Sequence, residues 1–506
     1  MVTSDRVRIP LIAAIATFGL HLAGNPHYGY FRDELYFIVC GQHPQWGYVD
    51  QPPVAPLLAA GTQMLGHSLV LLRAVPAFFA AAAVYVTCLL ARELGGGAFA
   101  EMLAALVVFF APVLMNFGMK ISPDMVGLWL WPLAALYTLR LAKGADPRGW
   151  LMVGAVMGIC HQSKYSVVFF FAALLLGLLL THERRILFSR WFLAGCGVCG
   201  LIALPNFLWQ AYYGFPMLEL LRNGQHGKNL IVSPVQYMLQ ELLITNVFLS
   251  LVWIIGLVWL LWNARLRFLG YTYLLLIAIM LVLHGKHYYP ADVYPYLMAA
   301  GGVAIEAWTN RWKGLRPIMV ATVILLGLVF VPFAMPILPE ERVVSYSEGL
   351  MRALHIQRQT LATEHQRAAA LPQDWADMHG WPQLAATVAN VYRSLSPGDR
   401  AQAVIVAQNY GEASAIDFFG RQYGLPPVIS GHNQYYLWGT RGYSGNVLID
   451  VAGDCGARAH LFATSQRAAT FTSPWIMPYE DGIPIMVCRG IQEPLAELWP
   501  RIKSYE

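Results

Sequence analysis

The sequence predicts a polytopic α-helical membrane protein that ends in a soluble α/β domain, and three observations predict it. Of the 506 residues, 57% are hydrophobic and only 12% are charged, where a soluble protein carries roughly 25% charged residues. The apolar residues gather into about eleven stretches, most of them near the ~20 residues that a bilayer crossing needs. From about residue 340 onward charges return, and short strand-like runs alternate with helical ones.

In chain order the candidate transmembrane helices are 9–24, 69–91, 98–117, 124–142, 149–162, 165–181, 191–209, 246–263, 268–284, 290–308 and 317–337. The Pro-containing stretch 52–66 reads as a re-entrant or interfacial piece. Arg6 and Arg8 before the first apolar run imitate a signal peptide, but no small-residue cleavage site follows, so the run reads as a retained span. Beyond 340, Ala403–Ala407, Asn446–Val451 and Pro484–Cys488 read as buried strands. Trp381–Leu395 and Glu412–Tyr423 read as amphipathic helices.

Orientation follows from where lysine and arginine fall. With the N-terminus in the cytoplasm, the inside loops hold Arg6, Arg8, Arg92, Arg140, Lys143, Arg148, Arg184, Arg185, Arg190, Arg265, Arg267, Arg311, Lys313 and Arg316. The outside loops hold Arg32, Arg73, Lys120, Lys164, Arg222, Lys228 and Lys286. That is about two to one for this orientation. An odd number of spans then divides the chain into a transmembrane region, 1–339, and a periplasmic α/β domain, 340–506. The net charge of +5 is explained by these loops, so nucleic acid is not an expected partner. Cys88, Cys160, Cys196 and Cys199 lie in apolar runs and read as packing residues. Cys455 and Cys488 are free to pair if their domain is periplasmic.

The first outward loop reads Tyr30-Phe31-Arg32-Asp33-Glu34-Leu35-Tyr36, then Trp46-Gly47-Tyr48-Val49-Asp50-Gln51-Pro52-Pro53. Residues 32–42 suit an interfacial helix with tyrosine and phenylalanine facing lipid. Carboxyls beside apolar surface hold protons more tightly, which suits a general base acting on a sugar hydroxyl. Tyr30 and Tyr48 offer faces on which a pyranose can stack. A solvated loop with Arg32 paired to Asp33 or Glu34 fits the spacing equally well. Asp124, in Lys120-Ile121-Ser122-Pro123-Asp124, opens a helix where the dipole favours an acid, yet an acid at a membrane boundary is costly to keep without use. His161-Gln162-Ser163-Lys164-Tyr165 and His284-Gly285-Lys286-His287-Tyr288-Tyr289-Pro290 face the same side. One such lysine can snorkel; two, each flanked by histidine and tyrosine, suit an anionic phosphate ester.

The string Y-F-R-D-E-L-Y-F, followed by G-Y-V-D-Q-P-P-V, resembles the first loop of the protein-mannosyltransferase-like superfamily, glycosyltransferase family 39 and its bacterial relatives, which include the lipid A aminoarabinose transferases. The resemblance covers about the first 340 residues and implies a GT-C-type membrane glycosyltransferase. By it, Asp33, Glu34 and Asp124 form the catalytic set: Asp33 the base, Glu34 its orienting or substrate-binding neighbour and Asp124 a cavity acid. Lys286 and His287, then Lys164 and Arg32, bind the donor phosphate; Asp50, Tyr30, Tyr48 and Tyr288 contact substrate. Asp50 stands where aminoarabinose transferases place a metal-binding glutamate, and Gln51 where they place a phosphate-binding lysine, so their particular substrate does not carry over. Asp50, His287 and a further histidine are of types that hold zinc or manganese, without the ligand spacing that would assign a site; a divalent metal stays possible and no cofactor is assigned.

The expected reaction moves a sugar from a polyprenyl-phosphate donor to a lipid, glycan or protein acceptor at the periplasmic face of the inner membrane, with inversion. Nucleotide sugars are cytoplasmic, whereas a lipid carrier brings its sugar to outward-facing acids. The alternative is a transporter or flippase of lipid-linked saccharides, but that predicts midplane charges and paired repeats, and the acids here cluster at one face. A sensor or scaffold leaves the R-D-E loop unexplained. Two stretches are read either way: Asn223–Asn229, within the long outer loop 210–245, is a lid or an ordinary loop, and Gly431–Trp438 is a glycan contact or, preferably, packed chain.

Overall fold

A computed structural model describes residues 5–227, 233–355, 369–455 and 459–506. Its N-terminal two thirds is a helical bundle. The helices are α1 Asp5–Gly24, α2 Arg32–Gln42, α3 Val54–Leu65, α4 Leu69–Glu93, α5 Ala98–Phe109, α6 Pro112–Phe117, α7 Asp124–Ala142, α8 Gly149–His161, α9 Val167–Leu179, α10 Arg190–Tyr212, α11 Pro216–Gly227, α12 Pro234–Ile244, α13 Ser250–Trp262, α14 Arg267–Val282, α15 Tyr294–Trp308, α16 Leu315–Leu328 and α17 Val331–Ala334.

Most lie where the apolar runs place them, but their lengths differ. Among the described residues three helices, α4, α7 and α10, are long and apolar enough by themselves to cross a bilayer. The run 98–117 breaks at Pro112 into α5 and α6, because a proline inside a helix removes a donor and clashes with the preceding turn. The run 317–337 divides into α16 and α17.

The outer surface of this bundle is apolar. Ile12, Ile15, Leu193, Leu201, Phe207, Leu251, Ile318 and Leu325 are all more than half exposed, a patch no water-soluble protein keeps bare. A lipid solvent accounts for it, since helices satisfy their backbone internally and need only apolar side chains outside. The close crossings use glycine. Gly154 lies against Gly195 where α8 meets α10, and Gly256 against the Leu297–Gly301 turn where α13 meets α15. Any Cβ there would strike the facing backbone, as expected of small residues at membrane helix contacts. The Cys196 and Cys199 segment belongs to this packing surface.

The C-terminal region adds α18 Glu340–Leu354, α19 Gln373–Ala376, α20 Trp381–Ser394, α21 Pro397–Gln402, α22 Tyr410–Phe419 and α23 Asn433–Trp438. They surround a four-stranded sheet, β1 Ala403–Ala407, β2 Val447–Val451, β3 Phe462–Phe471 and β4 Ile483–Ile491, in the order β1-β2-β4-β3. β1 and β2 are parallel (Ile405 opposite Ile449), and the other pairs are antiparallel (Ile449 opposite Val487, Ser465 opposite Cys488). β3 is the strand that the sequence does not announce. It is an edge strand with mostly exposed small and polar side chains. Cys455 and Cys488 form a disulfide.

This domain sits on the bundle rather than beside it. α2 packs against both α3 and α22. Phe31 and Met119 of the bundle share a buried cluster with Val343, Leu371, Trp375, Met378 and Met477. The helix over 32–42 therefore does not face lipid: Tyr36 and Phe37 are buried in protein, because the domain supplies the apolar cover that an interfacial helix would seek in the bilayer.

Candidate active site

The R-D-E segment opens α2, and its two acids have opposite fates. Glu34 is fully buried against Arg73 of α4, with Arg73 Nη2 2.8 Å from Glu34 Oε2 and Arg73 Nε 3.1 Å from Glu34 Oε1. Glu34 also accepts the Phe31 amide at 3.0 Å and the Ile121 amide at 3.2 Å. Arg73 donates in turn to the carbonyls of Asn25 and Gly29. One carboxylate thus ties together the α1–α2 loop, α4 and the loop before α7. Glu34, expected beside the base as an orienting or substrate-binding residue, has its carboxylate oxygens bonded to the scaffold.

Asp33, on the next face of α2, reaches the surface with its side chain 32% exposed. The Tyr410 phenol, at the start of α22, donates to Asp33 Oδ1 at 2.8 Å. Arg32 Nε lies 3.6 Å from the same oxygen, and the Arg32 guanidinium sits over the Tyr410 ring, 3.9 Å from Asp377 and 3.4 Å from the Tyr479 phenol. Arg32, which the sequence groups with the lysines for phosphate binding, therefore contacts the C-terminal domain. Tyr410 also packs on Tyr36, whose phenol donates to Asp50 Oδ1 at 2.9 Å and accepts the Gln434 amide at 3.2 Å. Gln434 Oε1 accepts the Val49 amide, so the 431–438 stretch is packed chain that braces the second motif. Tyr48 is fully buried and bonds the Cys40 and His43 carbonyls; it has no face for a sugar. Tyr30 packs on Phe418 and Phe419.

A second group gathers around Lys164. It pairs with Asp124, and its Nζ stands 4.5 Å from the Tyr289 ring centre and 5.2 Å from that of Tyr288. Burial by itself would lower its proton affinity, but the Asp124 charge and the two phenols outweigh that and hold the ammonium charged. Lys286 lies 5.9 Å from the Tyr288 ring. Burial, with Lys286 beside it, pushes the His287 imidazole down to about 4, which favours the neutral ring. Asp292, which follows the Lys286–Pro290 stretch, is buried, and its Oδ1 has no hydrogen-bond partner among the described residues. Gly127 makes room for it, since a Cβ there would collide with Asp292 Oδ2.

The two groups share a wall. The loop before Asp124 is fixed through the Ile121 amide to Glu34. Tyr165, next to Lys164, accepts from Gln210, whose amide also donates to the Tyr48 carbonyl. Of the outer loop, α11 and α12 are helical, while Lys228 and Asn229 lie outside the described residues. Among the described residues no group of three or more His, Cys, Asp or Glu is placed to hold a metal ion.

The architecture is a helical bundle with an apolar outer surface, carrying acids and lysines under a docked α/β domain. Residues 50–209, which include Asp50, Asp124 and Lys164, match the family model described as dolichyl-phosphate-mannose-protein mannosyltransferase. Two solved structures of ArnT from Cupriavidus metallidurans share the fold over 97% of this chain and 100% of theirs. The one bound to undecaprenyl phosphate has 15% identity and a TM-score of 0.62, and the apo form 16% and 0.64. No curated protein matches. Over residues 50–209 the chain is thus similar to the protein mannosyltransferases, and over nearly its whole length it shares the fold of ArnT.

Sequence reading missed Arg73 as the partner of Glu34, Tyr410 as the partner of Asp33, and Asp292. For Asp292 a signal exists, since it is an acid inside the apolar run 290–308. Tyr410 has none, standing 377 residues from Asp33.

Proposed function

We propose that the protein transfers a sugar from a polyprenyl-phosphate donor to an acceptor at the periplasmic face, with inversion at the anomeric carbon. The observation that carries this reading is Asp33: the one acid of the R-D-E pair that reaches the surface, held on a rigid helix by a buried anchor and aimed by Tyr410. Undecaprenyl phosphate in the ArnT structure of the same fold supports a lipid-phosphate donor. The Cys455–Cys488 disulfide supports a periplasmic domain, since such bonds persist in oxidising compartments.

In this mechanism Asp33 takes the acceptor hydroxyl proton as the oxygen forms its bond to the anomeric carbon. The bond from that carbon to the phosphate oxygen breaks, and the lipid phosphate leaves with the electron pair. Lys164 and Lys286 stabilise that charge and neutral His287 donates to it. Lys164 must exchange Asp124 for the phosphate, an ion-pair swap that can couple donor arrival to release of the acid. The acceptor is a lipid, a glycan or a protein, and a metal is not required by any of these steps. Native mass spectrometry of the protein with undecaprenyl phosphate tests the donor side. Lipid phosphate retained by wild type and lost by Lys164→Gln is expected; equal retention by both removes Lys164 from the donor site.

A further inference from the structure

We propose that the cavity between the end of α2 and the C-terminal domain binds a phosphate-bearing saccharide through Arg421 and Arg441. The cavity has a volume of about 250 Å³ and is lined on one side by Gln42 and His43 and on the other by Asp417, Arg421, Arg441 and the Pro426–Pro427 turn. That combines two guanidiniums, which suit a phosphate's paired oxygens, with an apolar wall of the sort a sugar ring covers.

The cavity carries a surplus of positive charge, two guanidiniums against one carboxylate. Arg421 donates to the Gln42 side-chain oxygen and to the Asp417 carbonyl, both neutral. Asp417, the one acid lining the cavity, is held by the Tyr435 phenol at 2.8 Å and the Val428 amide at 2.9 Å, and approaches Arg441 only to 4.0 Å. Burial raises that carboxyl's proton affinity, against the Val428 amide, Arg441, the Tyr435 phenol and Arg421, which favour its ionised form. His43 registers the surplus: burial first, then Arg441 and Arg421, lower its proton affinity.

The backbone gives an independent sign. Arg441 has φ +52°, between Gly439 at +72° and Gly442 at +79°. Left-handed backbone is disfavoured for a residue with a Cβ, and glycine or asparagine would serve a plain turn better. Backbone strain of this sort concentrates at ligand sites, and here it presents a guanidinium to a cavity, beside the Trp438 ring.

Position supplies the role. Asp33 meets Tyr410 at the starts of α2 and α22, and Gln42, the last residue of α2, meets Arg421 just past the end of α22. Nine residues of helix put the cavity roughly 14 Å from Asp33, the reach of a short oligosaccharide. Its assignment as the acceptor's anchor rests on the glycosyltransferase reading; the binding itself does not.

The test is equilibrium binding of glucose 1-phosphate, glucose and inorganic phosphate to the full chain in nanodiscs. Glucose 1-phosphate is expected to bind more tightly than either of the others, and Arg421→Gln and Arg441→Gln each to weaken it about tenfold, the loss of one charge-assisted contact. Arg441→Gly relieves the strained backbone, so it should melt no lower than wild type while losing affinity, which separates binding from folding. Asp33→Asn should bind unchanged. Unaltered affinity in the Arg421→Gln/Arg441→Gln double variant overturns the site. Equal affinity for glucose, or for inorganic phosphate, overturns its saccharide or phosphate specificity. Intact phosphosugar binding in a protein that transfers no sugar would leave the site standing and count against the enzyme reading alone.

Discussion

Replacing Glu34 by glutamine keeps shape and removes one charge from a pair in which both side chains are fully buried. Arg73 then loses its counter-ion while its guanidinium stays held by the Asn25 and Gly29 carbonyls. Breaking one side of a buried pair costs about 3–5 kcal/mol. The lower figure applies here, since the amide oxygen can still accept the bonds that one of the two carboxylate oxygens receives from Arg73 and the Phe31 and Ile121 amides. At about 2 °C per kcal/mol for a long chain, the apparent melting temperature in detergent should fall by roughly 6 °C. Removing the orphaned charge as well, in Glu34→Gln/Arg73→Met, should recover much of that loss, because neighbours in one network are not additive. Asp33→Asn, whose side chain is partly exposed, should melt close to wild type. If Glu34→Gln melts with wild type while losing transfer, Glu34 acts on substrate and the scaffold role is wrong.

Tyr410→Phe removes the phenol that aims Asp33; turnover should fall about tenfold, from a lost bond to a charged group, with little change in melting or in KM, and an unchanged turnover would deny Tyr410 its positioning role. Glu412 is buried, and burial followed by the Glu480 charge raises its proton affinity well above the usual carboxylate range. Its folded state keeps a proton that the unfolded chain has already lost, so stability present below the unfolded value near 4.3 should decline as pH rises through the folded one. Glu412→Gln should flatten that decline in melts taken at pH rising from the unfolded value, and an equally steep loss in the variant would rule the pair out as its source. Cys488→Ser opens a loop of 33 residues, for which chain entropy suggests about 3–4 kcal/mol. Non-reducing mass spectrometry of protein from cells should find the bond, and a free Cys455 would argue against a periplasmic domain.

Much of the architecture was legible because apolar periodicity is a local signal. The strand Ala403–Ala407 is observed as expected, 446–451 appears as Val447–Val451, and the 381–395 helix ends one residue early. β3 escaped because FATSQRAATF has an edge strand's composition and buries little. Helix lengths in the bundle escaped because hydropathy does not register the break at Pro112. At the site, the R-D-E motif located α2 and both acids. It could not divide their roles, because Glu34 is distinguished from Asp33 by Arg73, a residue 39 positions away. The domain's part in the site was illegible for the same reason. Tyr410, Asp377 and Tyr479 reach Arg32 and Asp33 only through tertiary contact.

The central claim is that Asp33 is the base of a lipid-phosphate-dependent glycosyl transfer. Its most direct test is transfer by the purified protein in nanodiscs, from a panel of radiolabelled polyprenyl-phosphate sugars to membrane-extract acceptors, with Asp33→Asn alongside. Transfer from one donor by wild type, and none by an Asp33→Asn protein of normal melting temperature, is the predicted result. Labelled lipid crossing proteoliposome membranes with no transfer from any donor would contradict it and make the protein a transporter.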